Sequence, residues 1–298
     1  MDKPTNSDLQ KAVLGDRKLT VMLIFTVIAA CAITYFITAR SYESDAVIEQ
    51  EIRPPHEMLN AVLWQKTSAE FEAIALQSYG LATNNLVQAV GDPHWNAVPE
   101  SPANAANLPP AVIMDLDETV LDNAGYEEIL IAQNIEFSKD GFTQWCVSQK
   151  STAIPGAVDF ITQARAQNVA VYFVSARSAA QLECTIKSLN RLGVSISAPK
   201  KEIILTDGAD KAQHRREISK FHRVILLIGD NLDDFVDGSR ASAQQRRQIA
   251  RQYQEFWGKS WIILPNPMYG HWEAAHFAHD YGLSREEKLT RKQGALAN

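Results

Sequence analysis

The chain divides by the pattern of its apolar positions. From Leu19 to Ala39 no residue is charged and no amphipathic stripe is present, while Lys18 and Arg40 flank the run. At about 1.5 Å per residue a helix of this length crosses the roughly 30 Å hydrocarbon core of a bilayer, so a membrane segment is expected. Ser41 to Pro55 is polar and ends in Pro54-Pro55, which reads as a linker. A helical pattern follows, with capping-box spacing at Thr67-Ser-Ala-Glu70 and with Phe71, Ile74, Ala75, Ser78 and Tyr79 on one face. Gly91 to Pro110, rich in Pro, Ala and Asn, predicts a loop.

After Pro110 the chain alternates. Apolar runs predict strands at Val112 to Leu116, Val169 to Val174, Glu202 to Leu205, Val224 to Ile228 and Trp261 to Leu264. Helical patterns lie at Ala157 to Ala166, Ala179 to Leu192, Lys211 to Phe221 and Ala243 to Phe256. In the second of these Leu182, Ile186 and Leu189 form the apolar stripe, with Ser178 as N-cap and Gly193 as C-cap. Near-continuous apolar strands separated by helices imply an α/β fold, a Rossmann-like parallel sheet with helices on both faces. The stretch at about 123–155 breaks the alternation, being longer than a plain crossover needs, and holds Phe137, Phe142, Trp145 and Cys146. It predicts a small, mainly helical cap. The expected organisation is a tail at 1–18, a transmembrane or signal-anchor segment at 19–39, a linker at 40–56 and one domain at 57–298 with an N-terminal helical extension.

Charge adds an orientation. Lys3, Lys11, Arg17 and Lys18 precede the apolar segment, whereas Glu43, Asp45, Glu49 and Glu51 follow it. The positive-inside rule then keeps the N-terminus in the cytoplasm and puts the domain in the periplasm or outside. Ile28-Ala29-Ala30-Cys31 fits the small-residue box before a lipid-modified cysteine, yet the residues after Cys31 stay apolar, which favours an uncleaved anchor. Over 298 residues the net charge is −6, which excludes the basic footprint of a protein that wraps a nucleic-acid polymer. Cys146 and Cys184 can pair in an oxidising compartment or stay as two buried thiols, and the spacing leaves both open. The sequence does not fix the oligomeric state.

Candidate chemistry collects at the predicted strand ends, where ligands bind in open parallel sheets. The first strand runs into Asp115-Leu-Asp117, whose side chains, two residues apart, can address one volume. One carboxylate can attack a reacting centre while the other shuttles a proton. Strands ending in Asp-x-Asp also occur in metal-dependent glycosyltransferases, and acidic turns are common. The second strand ends at Ser175, the third is followed by Lys211 at a helix start, and the fourth ends in Gly229-Asp230-Asn231-Leu-Asp233-Asp234. Together these residues suit a phosphoryl group and a hard divalent cation. Asp115, Asp230 and the backbone carbonyl of Asp117 would ligate Mg²⁺, while Ser175 and Lys211 hold phosphate oxygens.

The sequence here resembles the haloacid dehalogenase superfamily of phosphohydrolases, and within it the bacterial class C acid phosphatases, the lipoprotein 5′-nucleotidase family. The likeness rests on Asp115 to Asn123, on Val174-Ser-Ala-Arg177, on Lys211 followed by Arg215, and on Gly229 to Phe235. Ala153-Ile-Pro-Gly156, Leu264 to Gly270 with Trp272, and the early Trp64-Gln65 and Ser68-Ala69-Glu70 add to it. The resemblance implies that Asp115 is the nucleophile of an aspartyl-phosphate mechanism and Asp117 the general acid, then base. It makes Asp230 a metal ligand with Asp234 behind it. One departure is Ala176, where the family usually carries Asn; it bears on substrate preference more than on the chemistry.

Family likeness further implies nucleoside 5′-monophosphates or similar small esters as substrates, with Trp145, Tyr269 and Trp272 as candidate stacking partners for the base. Each of these rings has core as its alternative; Tyr269, in a Pro/Gly-rich loop after the last strand, is the best candidate of the three. Two other classes compete with a tethered, Mg²⁺-dependent phosphomonoesterase. A surface binding or adhesion protein on the same fold would be expected to have lost one of Asp115, Asp117, Lys211 or Asp230. An Asp-x-Asp glycosyltransferase leaves Lys211 and the Asp230 cluster unexplained.

Overall fold

The computed structural model describes residues 29–36, 56–99, 101–102 and 104–297. The chain separates into two units, residues 1–55 and residues 56–298. In the first, residues 29–36 are helical and exposed. The rest of the membrane segment expected at 19–39 lies outside the described residues, as does the linker up to residue 55. Among the described residues no helix is long and apolar enough to cross a membrane.

The second unit is built on a five-stranded parallel sheet. Its strands are β1 (Pro110–Met114), β4 (Ala170–Ser175), β5 (Ile203–Leu205), β6 (Arg223–Gly229) and β7 (Trp261–Ile263), in the order β5-β4-β1-β6-β7. Each expected strand is present, displaced by at most two residues. Successive side chains of β1 serve opposite faces: Val112 and Met114 join a cluster with Phe71, Tyr79, Leu86 and Phe160, whereas Ile113 joins Val224, Leu227, Phe235 and Trp261. Burial on both faces explains the unbroken apolar runs. The chain leaves β1 toward β4 and β5, then returns to lay β6 and β7 on the other side. The crevice between β1 and β6 is therefore the point where connections diverge, and it opens at the carboxyl ends of both strands.

Two further strands, β2 (Leu121–Asp122) and β3 (Thr152–Ala153), pair antiparallel and close the neck of the insertion. Between them lie helices Ala124–Gln133 and Lys139–Ser148, the expected small cap. The second starts at Ser138, whose hydroxyl accepts from Gly141 N. Cys146 on this helix and Cys184 on helix Leu182–Arg191 form a disulfide, with Cα atoms 5.6 Å apart. The bridge ties the cap to the sheet-covering layer.

Some local expectations are corrected. The N-cap of helix Ala69–Gly91 is Ser68, accepting from Phe71 N, and Thr67 instead ends the preceding helix Leu59–Thr67. Helix Ala69–Gly91 buries Phe71, Ala75, Tyr79, Ala82, Leu86 and Ala89, while Ile74 is exposed. Ser178 and Gln181 do form a capping box, but helix Leu182–Arg191 buries Cys184, Thr185, Ser188 and Leu189, with Leu182 and Ile186 at the edge. The disulfide and an Arg177 bond to Thr185 turn this face inward. The last long pattern stops at Gln252, because Tyr253, Phe256 and Trp257 leave the helix to pack around Trp261.

Candidate active site

Asp115 follows β1 directly, and its amide donates to the Ile228 carbonyl of β6 (2.9 Å), which fixes the backbone at the crevice. Lys211 reaches in from the start of helix Ala212–Ser219, placing Nζ 2.5 Å from Asp115 Oδ1 and 2.6 Å from Asp234 Oδ1. Asp234 is held in turn by Asn231 N, which donates to Oδ2 (2.9 Å). Its carboxylate presses so closely on Gly229 that a Cβ there would meet Oδ2 at 2.2 Å, so the strand must end in glycine. Arg215, buried below, donates to the Asp233 carbonyl and to Asp237 and braces this loop. Asp230 completes the group, accepting from Asn266 Nδ2 (2.8 Å).

One carboxylate oxygen each from Asp115, Asp230 and Asp234 lie within 4.8 Å of one another. Three buried or half-buried carboxylates against one lysine leave excess negative charge. Burial, with the neighbouring carboxylates adding and Lys211 opposing, pushes Asp115 well above the usual carboxylate range. Burial and then Asp234 push Asp230 up to about 7. Burial works against the Lys211 charge, but Asp115 and Asp234 outweigh it and raise its pKa. An all-oxygen set of this charge is the donor chemistry that hard divalent cations take.

Asp117 has the opposite surroundings. Its carboxylate is paired with Arg177, whose Nε lies 3.1 and 3.0 Å from Oδ1 and Oδ2 and whose Nη2 lies 2.7 Å from Oδ1. Asn123, at the start of the first cap helix, donates to Oδ1 through Nδ2 (2.7 Å). Ser175 is fully buried; its hydroxyl donates to Asp117 Oδ2 at 3.4 Å and accepts from Arg177 N. Arg177 also donates to Thr185 Oγ1 (2.8 Å) and stacks on Phe142 of the cap, 5.3 Å from the ring centre. Sequence reasoning used Arg177 only as part of a motif, yet it joins the acid, the cap and the disulfide helix.

Glu118, also unclaimed by sequence, adopts a left-handed backbone (φ 57°) and is buried. Gln65 of the N-terminal extension donates to it (2.5 Å), as do Asn123 N and the Tyr269 hydroxyl (3.0 Å). These bonds hold the turn after Asp117 in a conformation that a non-glycine residue seldom takes.

A cavity of about 480 Å³ opens over these groups. Asp115, Asp117, Lys211, Asp230 and Asp234 lie on its floor, and Ala176 stands where a longer polar side chain would narrow it. Phe137 and Phe142 from the cap, with Tyr269, Phe277 and Tyr281, supply aromatic wall. Glu127 and Glu273 line it as well. Of the three expected aromatics, Tyr269 lies on the cavity. Trp145 is core of the cap: buried beside Tyr126, it donates to Asn123 Oδ1 (3.1 Å) and covers Gly125, where a Cβ would strike the ring at 2.7 Å. Trp272 is exposed, donates to the Tyr269 carbonyl (3.0 Å) and is not among the lining residues.

Comparison with known proteins adds the chemistry of relatives. The family model described as HAD superfamily, subfamily IIIB (Acid phosphatase), matches residues 34–272. Among solved structures, the class C acid phosphatase from Bacillus anthracis is similar at 30% identity and a TM-score of 0.73, over 80% of this chain and 96% of that one. The class C acid phosphatase from Bacillus anthracis with tungstate bound matches at 29% identity and a TM-score of 0.71, over 81% and 97%.

Proposed function

The chain belongs to the acid phosphatases of HAD subfamily IIIB and is a phosphomonoesterase; from that premise we propose that it hydrolyses nucleoside monophosphates or similar small esters through an aspartyl-phosphate on Asp115. The observation that carries the reading is the pair of carboxylates at the end of β1, facing one cavity with Lys211 Nζ 2.5 Å from Asp115 Oδ1. Tungstate, bound by a relative, is an oxyanion of phosphate-like shape, which supports an oxyanion site in this chain.

In this account an Asp115 oxygen attacks phosphorus and forms the acyl phosphate as the P–O bond to the leaving alcohol breaks. Asp117 gives its proton to the departing oxygen. Oδ2 is the oxygen that serves, because Asn123 and Arg177 Nη2 make the short bonds to Oδ1. Asp117 then takes a proton from the water that attacks phosphorus, which returns Asp115 as carboxylate and frees inorganic phosphate. Lys211 and the start of its helix balance the anionic charge as a phosphate enters beside Asp115. Ser175 and Arg177 keep Asp117 aimed rather than touching the ester.

Asp115, Asp230 and Asp234, with the backbone carbonyl of Asp117, are the groups that would hold Mg²⁺. When bound, the cation supplies charge neutralisation between an anionic nucleophile and an anionic phosphate. Tyr269, Phe137 and Phe142 offer faces for a base. The apolar run at 19–39, its charge flanks and the Cys146–Cys184 bridge support a domain tethered outside the cytoplasm, since disulfides persist in oxidising compartments.

Phosphate release from nucleoside monophosphates, sugar phosphates and an aryl phosphate, with Mg²⁺ and with EDTA, tests the proposal. Metal-dependent release that favours nucleotides is expected, with recovery when Mg²⁺ is restored in excess. Release that persists in EDTA would remove the metal from the account. Nucleotides no better than the aryl ester would remove the substrate assignment.

A further inference from the structure

Glu127 is a buried acid without an answering group. It belongs to the first turn of helix Ala124–Gln133 and is 4% exposed. Among the described residues its carboxyl has no hydrogen-bond or ion-pair partner; the only charge acting on it is that of another carboxylate, Glu273. Burial and then Glu273 push its pKa up to about 7. Its oxygens are not sealed in the interior: they reach the cavity, where a polar ligand can answer them. A favourable helix N-terminus does not explain the burial, since an exposed carboxylate gains the same interaction.

The one side of Glu127 that is open faces the cavity shared by Asp115 and Asp117. Its place there follows from the helix. Asn123, whose amide orients Asp117, lies four residues earlier. Positions i and i+4 share a helix face, one above the other, and are separated by about 6 Å of rise. Glu127 therefore stands one helical turn beyond Asn123 and lines the same cavity as Asp117. Its charge also reaches Tyr269, across the same space. Of the other carboxylates on the cavity wall, Glu273 accepts from Lys292 Nζ (2.8 Å), Asp207 from Lys139 Nζ (3.0 Å) and Asp233 from Ser239 Oγ (2.9 Å). Among the described residues Glu127 is the wall carboxylate without such a partner.

We propose that Glu127 is a specificity-determining residue that accepts hydrogen bonds from hydroxyl groups of the leaving alcohol, the sugar diol in a nucleoside monophosphate. The inference rests on the nucleotide reading given above. Its two oxygens match a vicinal diol and accept from both hydroxyls once the group is ionised; Asp or Glu plays this part toward ribose in dinucleotide-binding folds. Aromatic walls grip any base, so they do not by themselves distinguish sugars.

The test is kcat/KM of the full chain and of Glu127→Ala and Glu127→Gln, with Mg²⁺, on a ribonucleoside 5′-monophosphate, its 2′,3′-dideoxy counterpart and an aryl phosphate. The wild type should prefer the ribonucleotide over the dideoxynucleotide by about 10–100-fold, carried mainly in KM, as befits hydrogen bonds to a charged group. Glu127→Ala should bring that ratio close to one, with Glu127→Gln between. A wild type that does not distinguish the two nucleotides overturns the proposal, and this holds even if Glu127→Ala fails to fold. So does a ratio that survives Glu127→Ala, or an equal loss on all three esters. A wild type that cleaves the aryl ester but not nucleotides fails the nucleotide reading alone; the same ratio on a pentose 5-phosphate and its deoxy counterpart then decides the role of Glu127.

Discussion

Asp115 and Asp117 leave the same strand two residues apart, and their neighbourhoods are opposite. Asp115 shares its surroundings with Asp230 and Asp234 against a single lysine, a group that calls for a cation. Asp117 is matched by the Arg177 guanidinium and by Asn123, which belong to the next strand's end and to the cap. The turn that follows β1 brings both carboxylates to one cavity; the elements packed beside them divide the work. One is prepared to meet phosphorus with a metal near it, the other to be aimed at the leaving group. Glu127 adds a third case, a cavity carboxyl with no hydrogen-bond or ion-pair partner among the described residues.

The comparison breaks most completely at Asp115. Asp115→Asn removes the nucleophile while keeping the shape, and turnover should fall by at least ~10⁴-fold on every ester, read as phosphate release. Asp117→Asn should separate substrates instead. Esters with alcohol leaving groups, which need a proton, should slow by roughly 10²–10⁴-fold, and an aryl ester with a good leaving group far less. Equal losses on both would mean that Asp117 orients rather than protonates.

Smaller effects probe the supports. The Cys146–Cys184 bridge closes a loop with a sequence separation of 38, so its reduction should lower stability by about 4 kcal/mol in the chain-entropy account, read by denaturant unfolding. Because Arg177 stacks on the bridged cap helix, loss of activity should accompany loss of stability. Glu127 gives a pH signature. Its folded pKa, about 7, lies above the ordinary 4.5, so the folded state binds more protons between those values. Stability therefore falls as pH rises through that window and levels off above it. Glu127→Gln should remove up to ~3 kcal/mol of that fall between pH 5 and 8, and an unchanged slope would mean the carboxyl is not desolvated.

Much of this arrangement was legible in the chain. Strands covered on both faces announce themselves as apolar runs, and Asp115, Lys211 and Asp230 follow from strand ends that must meet at one edge. Contacts made by long side chains across elements were not legible. Arg177 reaches Asp117 only because β4 lies beside β1, and Glu127 looks like any acidic residue in a helix's first turn until the fold buries it. The Pro/Gly-rich loop after the last strand favours Tyr269 over Trp145 by sequence, and packing decides it: the ring over Gly125 makes Trp145 core, while that loop brings Tyr269 to the cavity. The disulfide stood as one of two outcomes because pairing depends on the distance between two helices, which spacing does not encode.

The most direct test is to quench the enzyme in acid during turnover with Mg²⁺, reduce acyl phosphate with borohydride, and map the modified residue by mass spectrometry. The account predicts homoserine at position 115 and intact aspartate at 117. Modification at Asp117, or none in protein quenched while phosphate is being released, would contradict it.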